Sequence, residues 1–297
     1  MIQRNVVIIG AGPAGIAAAI ELLRSGVEPL LLDSGTPGGL LWNAHRVENY
    51  PGFPSGLSGP RLVRRFLRQL QKTGGAVVED RATALSVEDD FVLNTATGLY
   101  KAKIVIIASG TRPCPVDSFD IPSDCWDLVY RDVWPLRGGN GRRIAIVGGG
   151  DAAFDYAVNL SRRNHVVIFN RSDTTRCLPL LKNLVKNSPN ITYAERCQLL
   201  SVRRYGSKLH LTISEQEGTS EQTFDILVIA IGREPELSFI DLDVLKRCEE
   251  LQQIGKLHLI GDVQNGIYRQ TAIAVGDGIR AAMKVSAKLG EGNHEDC

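Results

Sequence analysis

The sequence predicts an α/β fold made of two Rossmann-like, three-layer domains, each able to hold a dinucleotide. Three observations predict it. Gly10-x-Gly12-x-x-Gly15 follows the apolar run Val6–Ile9, and Gly148-x-Gly150-x-x-Ala153 follows the apolar run Ile144–Val147. Each turn leads into a helical stretch and a second apolar run, Leu30–Leu32 or Val166–Phe169, which is the order of a βαβ unit. At 297 residues the chain is long for one ordinary domain and comfortable for two.

Composition narrows the class. Hydrophobic residues make up 43% and charged residues 23%, as in a globular protein that buries a proper core. The balance of 34 Lys+Arg against 33 Asp+Glu gives no reason to expect nucleic acid or an acidic membrane as partner. The apolar stretch Val6–Ile20 carries Gly10, Gly12, Pro13 and Gly15 and runs into Glu21, which argues against a signal peptide. No uninterrupted apolar run approaches the roughly 20 residues of a bilayer-spanning helix, so a soluble protein is expected. Six cysteines, at 114, 125, 177, 197, 248 and 297, form no C-x-x-C and match no zinc spacing, so no metal site is expected. Scattered cysteines of this kind suit a reducing compartment, and the cytoplasm is the expected location.

Along the chain, Val6–Ile9 reads as a strand, Ala14–Arg24 as a helix and Leu30–Leu32 as a second strand ending at Asp33. A loop rich in glycine and proline, 34–58, precedes an amphipathic helix over 60–72, with Leu62, Val63, Phe66, Leu67 and Leu70 on one face. Its Arg61, Arg64, Arg65 and Arg68 suggest an acidic partner, although a basic helix face is more often simply solvated. Segments 76–79, 84–87 and 91–95 read as a small antiparallel piece, and Ile104–Ile107 as a buried strand. The pattern restarts at Ile144, with a helix to about Arg163 and the strand Val166–Phe169. Strand-like runs follow near 191–194, 199–203 and 209–213, then the buried strand Ile226–Ile229. Leu257–Ile260 meets Gly261-Asp262, and a last helix is expected over 270–288.

Each glycine of the first turn has a physical task. Gly10 permits the tight turn, Gly12 lets a pyrophosphate approach the backbone, and Gly15 lets helix and strand pack closely. The helix start offers N–H groups and partial positive charge to phosphates. Asp33, 18 positions after Gly15, is placed to accept hydrogen bonds from ribose hydroxyls. The alternative is a glycine-rich packing turn in an empty domain. In the second turn Ala153 replaces the third glycine, as the fingerprint allows. The strand after it ends at Phe169-Asn170-Arg171 without an acid, and Arg171 and Arg176 can neutralise a 2′-phosphate. This favours NADPH over NADH; otherwise both arginines lie on a surface loop. Asp151 and Asp155 flank the turn, where a carboxylate either repels phosphates or favours the helix N-terminus.

Taken together, these motifs carry a resemblance. Gly10-Ala-Gly-Pro-Ala-Gly15, Gly38-Gly39-Leu40, Glu48-Asn-Tyr-Pro-Gly-Phe53, Ala108-Ser-Gly-Thr-Arg-Pro113, Gly148-Gly-Gly-Asp151, Ala230-Ile-Gly-Arg233, Gly261-Asp262 and Tyr268-Arg-Gln-Thr-Ala272 occur in a specific order. Over essentially its whole length the chain resembles the thioredoxin-reductase-like class of FAD flavoproteins. The resemblance implies a discontinuous FAD domain, 1–113 and 236–297, with a nicotinamide-nucleotide domain, 114–235, inserted between; the crossings end in Pro113 and Pro235. It assigns FAD to Gly10, Gly12, Pro13, Ala14, Gly15, Asp33, Ser34, Gly39, Leu40, Asn49, Ala108, Ser109, Gly110, Gly261, Asp262, Arg269, Gln270 and Thr271. Within that set Asp262 should bond the ribityl chain, unless it is only a turn residue, and Arg269, Gln270 and Thr271 should flank the pyrimidine edge of the flavin. A helix start aimed there would stabilise negative charge on the reduced ring. NAD(P) is assigned to Gly148, Gly150, Asp151, Ala152, Arg171, Arg176, Ile231 and Gly232. A homodimer is expected from the resemblance alone.

The departure from the family matters most. Aligned on Tyr130-Arg131, the position of the family's first redox cysteine holds Pro122, in Pro122-Ser-Asp-Cys125. Proline exchanges no disulfide, so an internal dithiol relay is lost. The stretch 133–141 looks like an insertion. Cys125 would be either a flavin-proximal thiol or inert packing, and Cys297 either a thiol arm or a frayed end. The segment Gly148–Tyr156 is similar to the ferredoxin–NADP reductases of this class, which lack the dithiol. Those enzymes extend beyond the last helix with an aromatic ring, whereas this sequence stops at Gly-Glu-Gly-Asn-His-Glu-Asp-Cys. His45 is a candidate for proton transfer beside the ring, or a surface histidine. Without the dithiol, the domain swing known in the family has less purpose. Three functional readings stand: an NAD(P)H-dependent reductase of a protein carrier, quinone or small molecule; a disulfide reductase using Cys125 or another thiol; and a non-catalytic flavin-binding sensor or subunit.

Overall fold

The first β-branched run forms a strand whose inner half is dry. In the computed structural model, which describes residues 2–116 and 119–292, β1 (Ile2–Ile9) has four exposed residues followed by four buried ones. Val6, Val7 and Ile8 are wholly buried, as a strand covered on both faces requires. The chain turns into α1 (Pro13–Arg24), where Pro13 sits in the first turn and its missing N–H costs nothing. It returns in β2 (Leu30–Asp33), parallel to β1, with Leu30, Leu31 and Leu32 opposite Val7, Ile8 and Ile9.

A 3-10 turn at Gly39–Asn43 and the helix α2 (Gly59–Lys72) follow. Next, β3 (Val78–Glu79) pairs parallel with β2. This corrects the reading of 76–79 as part of an antiparallel piece: a helical crossover between two neighbouring strands returns the chain parallel. Then β4 (Ala82–Val87), β5 (Phe91–Thr95) and β6 (Leu99–Ile107) form an antiparallel meander, and β6 inserts beside β1. The first crossing is β7 (Thr111–Pro113).

The middle of the chain builds its own sheet. A 3-10 turn at Ser123–Leu128 leads to β8 (Val129–Tyr130), and a second at Trp134–Leu136 leads to β9 (Arg143–Val147). The stretch read as an insertion is thus partly packed, with Val133 and Leu136 buried. After α3 (Asp151–Leu160), β10 (His165–Asn170), α4 (Pro179–Lys186) and β11 (Ile191–Glu195) comes a meander of β12 (Gln198–Tyr205), β13 (Lys208–Glu215) and β14 (Gly218–Phe224). Finally β15 (Ile226–Ile229) completes a parallel sheet in the order β11-β10-β9-β15-β8. Phe154, Ala157, Leu160 and Val185 of α3 and α4 cover one face, and Leu199, Leu211, Ile213 and Phe224 of the meander cover the other. These are the three layers of a Rossmann-like domain.

The return crossing, β16 (Arg233–Pro235), pairs with β7 in a two-stranded ribbon. Two short helices, α5 (Leu242–Lys246) and α6 (Cys248–Gln253), precede β17 (Leu257–Leu259), which lies parallel to β6, and then α7 (Thr271–Gly292). The sheet of this first domain runs β3-β2-β1-β6-β5-β4, with β17 also on β6. Helices α1 and α7 cover one face through Ile16, Ala281, Ala282 and Val285. Phe91 and Leu93, with Val244 of α5 and Leu251 of α6, cover the other. The two helices approach closely: a Cβ on Gly278 would lie 2.2 Å from the Ala14 carbonyl oxygen, so only glycine fits there.

The two Rossmann-like domains emerge as two compact units: 1–42, 46–112 and 234–297 form one, and 43–45 and 113–233 the other. The three residues Asn43–His45, which lie inside the expected FAD segment, cluster with the second unit. Among the described residues no helix is long and apolar enough to cross a membrane. Cys297 lies outside the described residues.

Candidate functional site

The first glycine turn separates three reasons for glycine. Gly10 has a φ of +104°, and a Cβ there would lie 2.3 Å from the Ala108 carbonyl oxygen. A Cβ on Gly15 would lie 1.9 Å from the Gly10 carbonyl oxygen. Both contacts are internal to the fold. Gly12 differs: its φ of −74° suits any residue, yet a Cβ there would meet nothing within 4 Å. Open space in front of a helix start that no side chain caps is where a diphosphate could approach. The residues present therefore fit the dinucleotide that the fingerprint implies.

Asp33 ends β2 beside this turn. Its Oδ2 accepts the Ala11 N–H at 2.7 Å and its Oδ1 the Gly35 N–H at 3.0 Å. An ionised carboxylate has about four acceptor positions, so two remain for ribose hydroxyls. Ser34 is exposed at the same strand end. The Gly38 N–H donates to the Ala11 carbonyl at 2.7 Å, which lays Gly39 against Gly12 and brings Leu40 after it. Ala108 packs over Gly10, and Ser109 Oγ donates to the Glu236 carbonyl at 2.7 Å, while the Glu236 N–H returns to the Gly110 carbonyl at 3.0 Å.

The far end of the chain closes on the same place. Gly261, with φ +72°, has no room for a Cβ, which would stand 2.9 Å from Ala14 Cβ. Asp262 therefore directly follows the glycine that packs on Ala14 at the start of α1. The buried Asp277 holds this turn: its Oδ2 accepts from the Gly261 N–H at 3.2 Å and from Asn265 Nδ2 at 2.7 Å. Asn49 Nδ2 donates to Gln270 Oε1 at 2.7 Å, and Gln270 stands between Arg269 and Thr271, the first residue of α7. Sequence reasoning missed Asp277; an acid on the inward face of an apolar helix is the signal that would have found it.

The second turn repeats the steric scheme. A Cβ on Gly148 would lie 2.3 Å from the Ala230 carbonyl oxygen, whereas one on Gly150 would meet nothing within 4 Å. Ala153 is wholly buried where the first turn has Gly15, and Ala152 is exposed. The loop after β10 is stitched to this turn. The Arg176 N–H donates to the Gly149 carbonyl at 2.9 Å, and the Leu178 N–H to Asp151 Oδ1 at 2.7 Å. Asp151 thus serves the loop. Asn170, packed on Gly149, donates to the Thr174 carbonyl at 2.9 Å and to Tyr193 Oη at 3.0 Å. Arg171 and Arg176 are exposed on this loop, and among the described residues neither forms a salt bridge; the acid between them, Asp173, is paired with Arg196. Ile231 and Gly232 follow β15, and the Gly232 carbonyl accepts the Cys114 N–H at 3.1 Å.

Asn43, also missed from sequence, is buried in the second unit. Its Nδ2 donates to Asp132 Oδ1, and its Oδ1 accepts the N–H groups of Val133 and Trp134, all at 3.0 Å. His45 enters through its backbone, whose N–H donates to Asp155 Oδ2 at 2.9 Å. Burial pushes the Asp155 carboxyl up to about 6; the His45 N–H opposes this and Asp151 adds to it. Burial likewise raises the neighbouring Tyr156 hydroxyl.

Cys125 sits elsewhere. It is wholly buried in the core under the β12–β14 meander, and burial, reinforced by Asp124, raises its thiol pKa. A buried, protonated thiol is a poor nucleophile.

Comparison with known proteins places this geometry. The pyridine nucleotide-disulphide oxidoreductase family matches residues 4–278. Thioredoxin reductase from Streptomyces coelicolor is 30% identical, over 99% of this chain and 96% of its own length. Thioredoxin reductase from Streptomyces clavuligerus is 29% identical, over 96% and 94%. The crystal structure of Lactococcus lactis thioredoxin reductase, in its FR conformation, superposes with a TM-score of 0.86 at 26% identity, covering 97% of this chain and 99% of that one. Two glycine turns with open approach, each on its own Rossmann-like sheet, are thus part of a likeness that spans the whole chain. The chain belongs to the pyridine nucleotide-disulphide oxidoreductase family and is a thioredoxin-reductase-like flavoprotein, an oxidoreductase using FAD and a nicotinamide nucleotide.

Proposed function

We propose that this chain is an NADPH-dependent reductase whose electron acceptor is external, a protein carrier, quinone or small molecule, and is not served through an internal dithiol. One observation carries this reading: Cys125, the remaining thiol of the segment Pro122–Cys125, is buried with a raised pKa, and a proline stands where its partner would be. When bound, FAD supplies hydride acceptance from the nicotinamide and electron delivery to the acceptor.

The chain's own residues bind and orient. The helix starts of α1 and α3 would hold the diphosphates, Asp33 the ribose, and Asn49 and Gln270 the flavin edge. Arg171 and Arg176, on a loop whose only acid is paired with Arg196, support a preference for the 2′-phosphate of NADPH. The free state of Cys114, Cys125, Cys177, Cys197 and Cys248 supports a reducing compartment, the cytoplasm. Exposed Ile279 and Met283, one helical turn apart on α7, support a homodimer.

Anaerobic mixing with NADPH, followed by oxidation with quinone, ferredoxin or thioredoxin, tests the reading. Flavin bleaching by NADPH and retention of acceptor turnover in Cys125→Ala are expected. A flavin that stays oxidised, or thioredoxin turnover abolished by Cys125→Ala, would overturn it.

A further inference from the structure

Helix α2 carries a charge pattern that its packing does not explain. Its inner face, Leu62, Val63 and Leu70, is buried against the first domain. Its outer face presents Arg61, Arg64, Arg65, Arg68 and Lys72, all exposed. At about 100° per residue these five fall within one stripe, roughly 16 Å long. The helix contains no Asp or Glu, and among the described residues none of the five cations forms a salt bridge. Arg61–Arg65, Arg64–Arg68 and Arg68–Lys72 are like-charge pairs at i,i+4, each of which destabilises the isolated helix. An ordinary solvated face intersperses acids. In a chain of net charge +1, this segregation is local.

The stripe also adjoins the candidate flavin residues. The Arg64 guanidinium lies 5.9 Å from the ring of Trp42, and that of Arg65 lies 5.2 Å from the ring of Phe53. Trp42 closes the turn that begins at Gly39, and Val63 of α2 packs on Gly38. Phe53 stacks on Tyr50, which follows Asn49, the partner of Gln270. The arginines are therefore braced on rings that belong to the loops of the flavin site.

We propose that the outer face of α2 docks an acidic electron-carrier protein, one that presents carboxylates around its redox centre. This rests on the external-acceptor reading above. Each NADPH oxidised reduces two one-electron carriers and releases one proton to solvent. Opposite charge on the two surfaces steers encounter and fixes orientation. A membrane surface suits the helix less well, because Leu62, Val63 and Leu70 are buried and Phe66 and Leu67 pack partly buried against the same core.

Binding of an oxidised, acidic [2Fe–2S] ferredoxin and of an acidic flavodoxin to the oxidised holoenzyme tests the proposal. Calorimetry would be run at about 20 and 300 mM salt, on either side of a Debye length of about 10 Å. The variants are Arg61→Glu/Arg68→Glu and the milder Arg61→Gln/Arg68→Gln, which leave Arg64 and Arg65 on their rings. The wild type should bind at least one carrier at low salt and lose that affinity at high salt. The Glu variant should bind about 10-fold or more weakly, the Gln variant by an intermediate amount, with NADPH–ferricyanide turnover unchanged in both. Equal affinity in wild type and variants, or no binding of either carrier, would overturn the docking proposal while leaving flavin reduction intact. Binding of anionic phospholipid vesicles in place of the carriers would overturn it too. Absence of ferricyanide turnover in the wild type would overturn the functional reading, and the docking proposal with it.

Discussion

Asn49 and Gln270, 221 residues apart, share a hydrogen bond of 2.7 Å between Nδ2 and Oε1. It ties the loop before α2 to the start of α7, the two segments that would flank the flavin edge. Such a bond contributes about 1 kcal/mol, roughly a factor of 5 in an equilibrium constant. Asn49→Ala and Gln270→Ala should each raise the Kd for FAD about fivefold in titrations of apoprotein, read by flavin fluorescence. The double variant should cost little more than either single one, because both remove the same bond.

The glycines of the first turn should respond in opposite ways. Gly10→Ala places a Cβ 2.3 Å from a carbonyl oxygen at positive φ and should lower the melting temperature of the apoprotein. Gly12→Val places its Cβ where nothing lies within 4 Å, at a φ of −74° that any residue adopts, and should change that temperature far less than Gly10→Ala while abolishing FAD binding. Thermal melts of apoprotein beside flavin titrations separate the two effects. A Gly12→Val protein that still binds flavin would show that the diphosphate lies elsewhere.

Arg171 and Arg176 flank an acid that is already paired with Arg196. A charge-assisted hydrogen bond to phosphate is worth about 1.5–3 kcal/mol. Arg171→Ala/Arg176→Ala should therefore raise KM for NADPH by about 10- to 100-fold and leave KM for NADH within about twofold. Steady-state kinetics with ferricyanide as acceptor measures both. Equal effects on the two nucleotides would mean that the loop reads something other than the 2′-phosphate.

Asp155 binds its proton more tightly in the folded protein, at about 6, than in the unfolded chain, near 3.8. Folding stability contributed by this group is therefore greatest at low pH and is lost as pH rises from about 4 to about 7. Asp155→Asn removes that loss and still accepts from the His45 N–H. Its stability relative to wild type should climb across this range to about 2–3 kcal/mol at pH 7 and above, measured by urea unfolding at several pH values.

Much of the site was legible because its constraints are local. Gly10, Gly12, Gly15 and Asp33 sit in one βαβ unit, so spacing alone implies their geometry. The same holds for Gly148, Gly150 and Ala153. What stayed hidden was set at long range. Asn43 is buried because Asp132, Val133 and Trp134, about ninety positions later, complete its hydrogen bonds. Cys125 is buried because the β12–β14 meander covers it, and no spacing near residue 125 reveals that. Asp277 owes its place to Gly261 and Asn265, which precede it by 16 and 12 positions and converge on its Oδ2. The segment 76–79 misled for another reason: two residues carry too little periodicity to tell a parallel edge from a hairpin.

The tight crossing of Gly278 over the Ala14 carbonyl has a consequence for biogenesis. The two helices that meet there lie on either side of the inserted unit in sequence, so that unit is synthesised between them. At about 5–20 residues per second, the stretch from Arg233 to Thr271 takes roughly 2–8 seconds to make, so the inserted unit can begin to fold before α7 is synthesised. A flavin site that needs both helices would thus be completed late in the life of the nascent chain. A translation product arrested before Gly278 would lack the glycine that lets α7 pack on the Ala14 carbonyl, beside the first glycine turn.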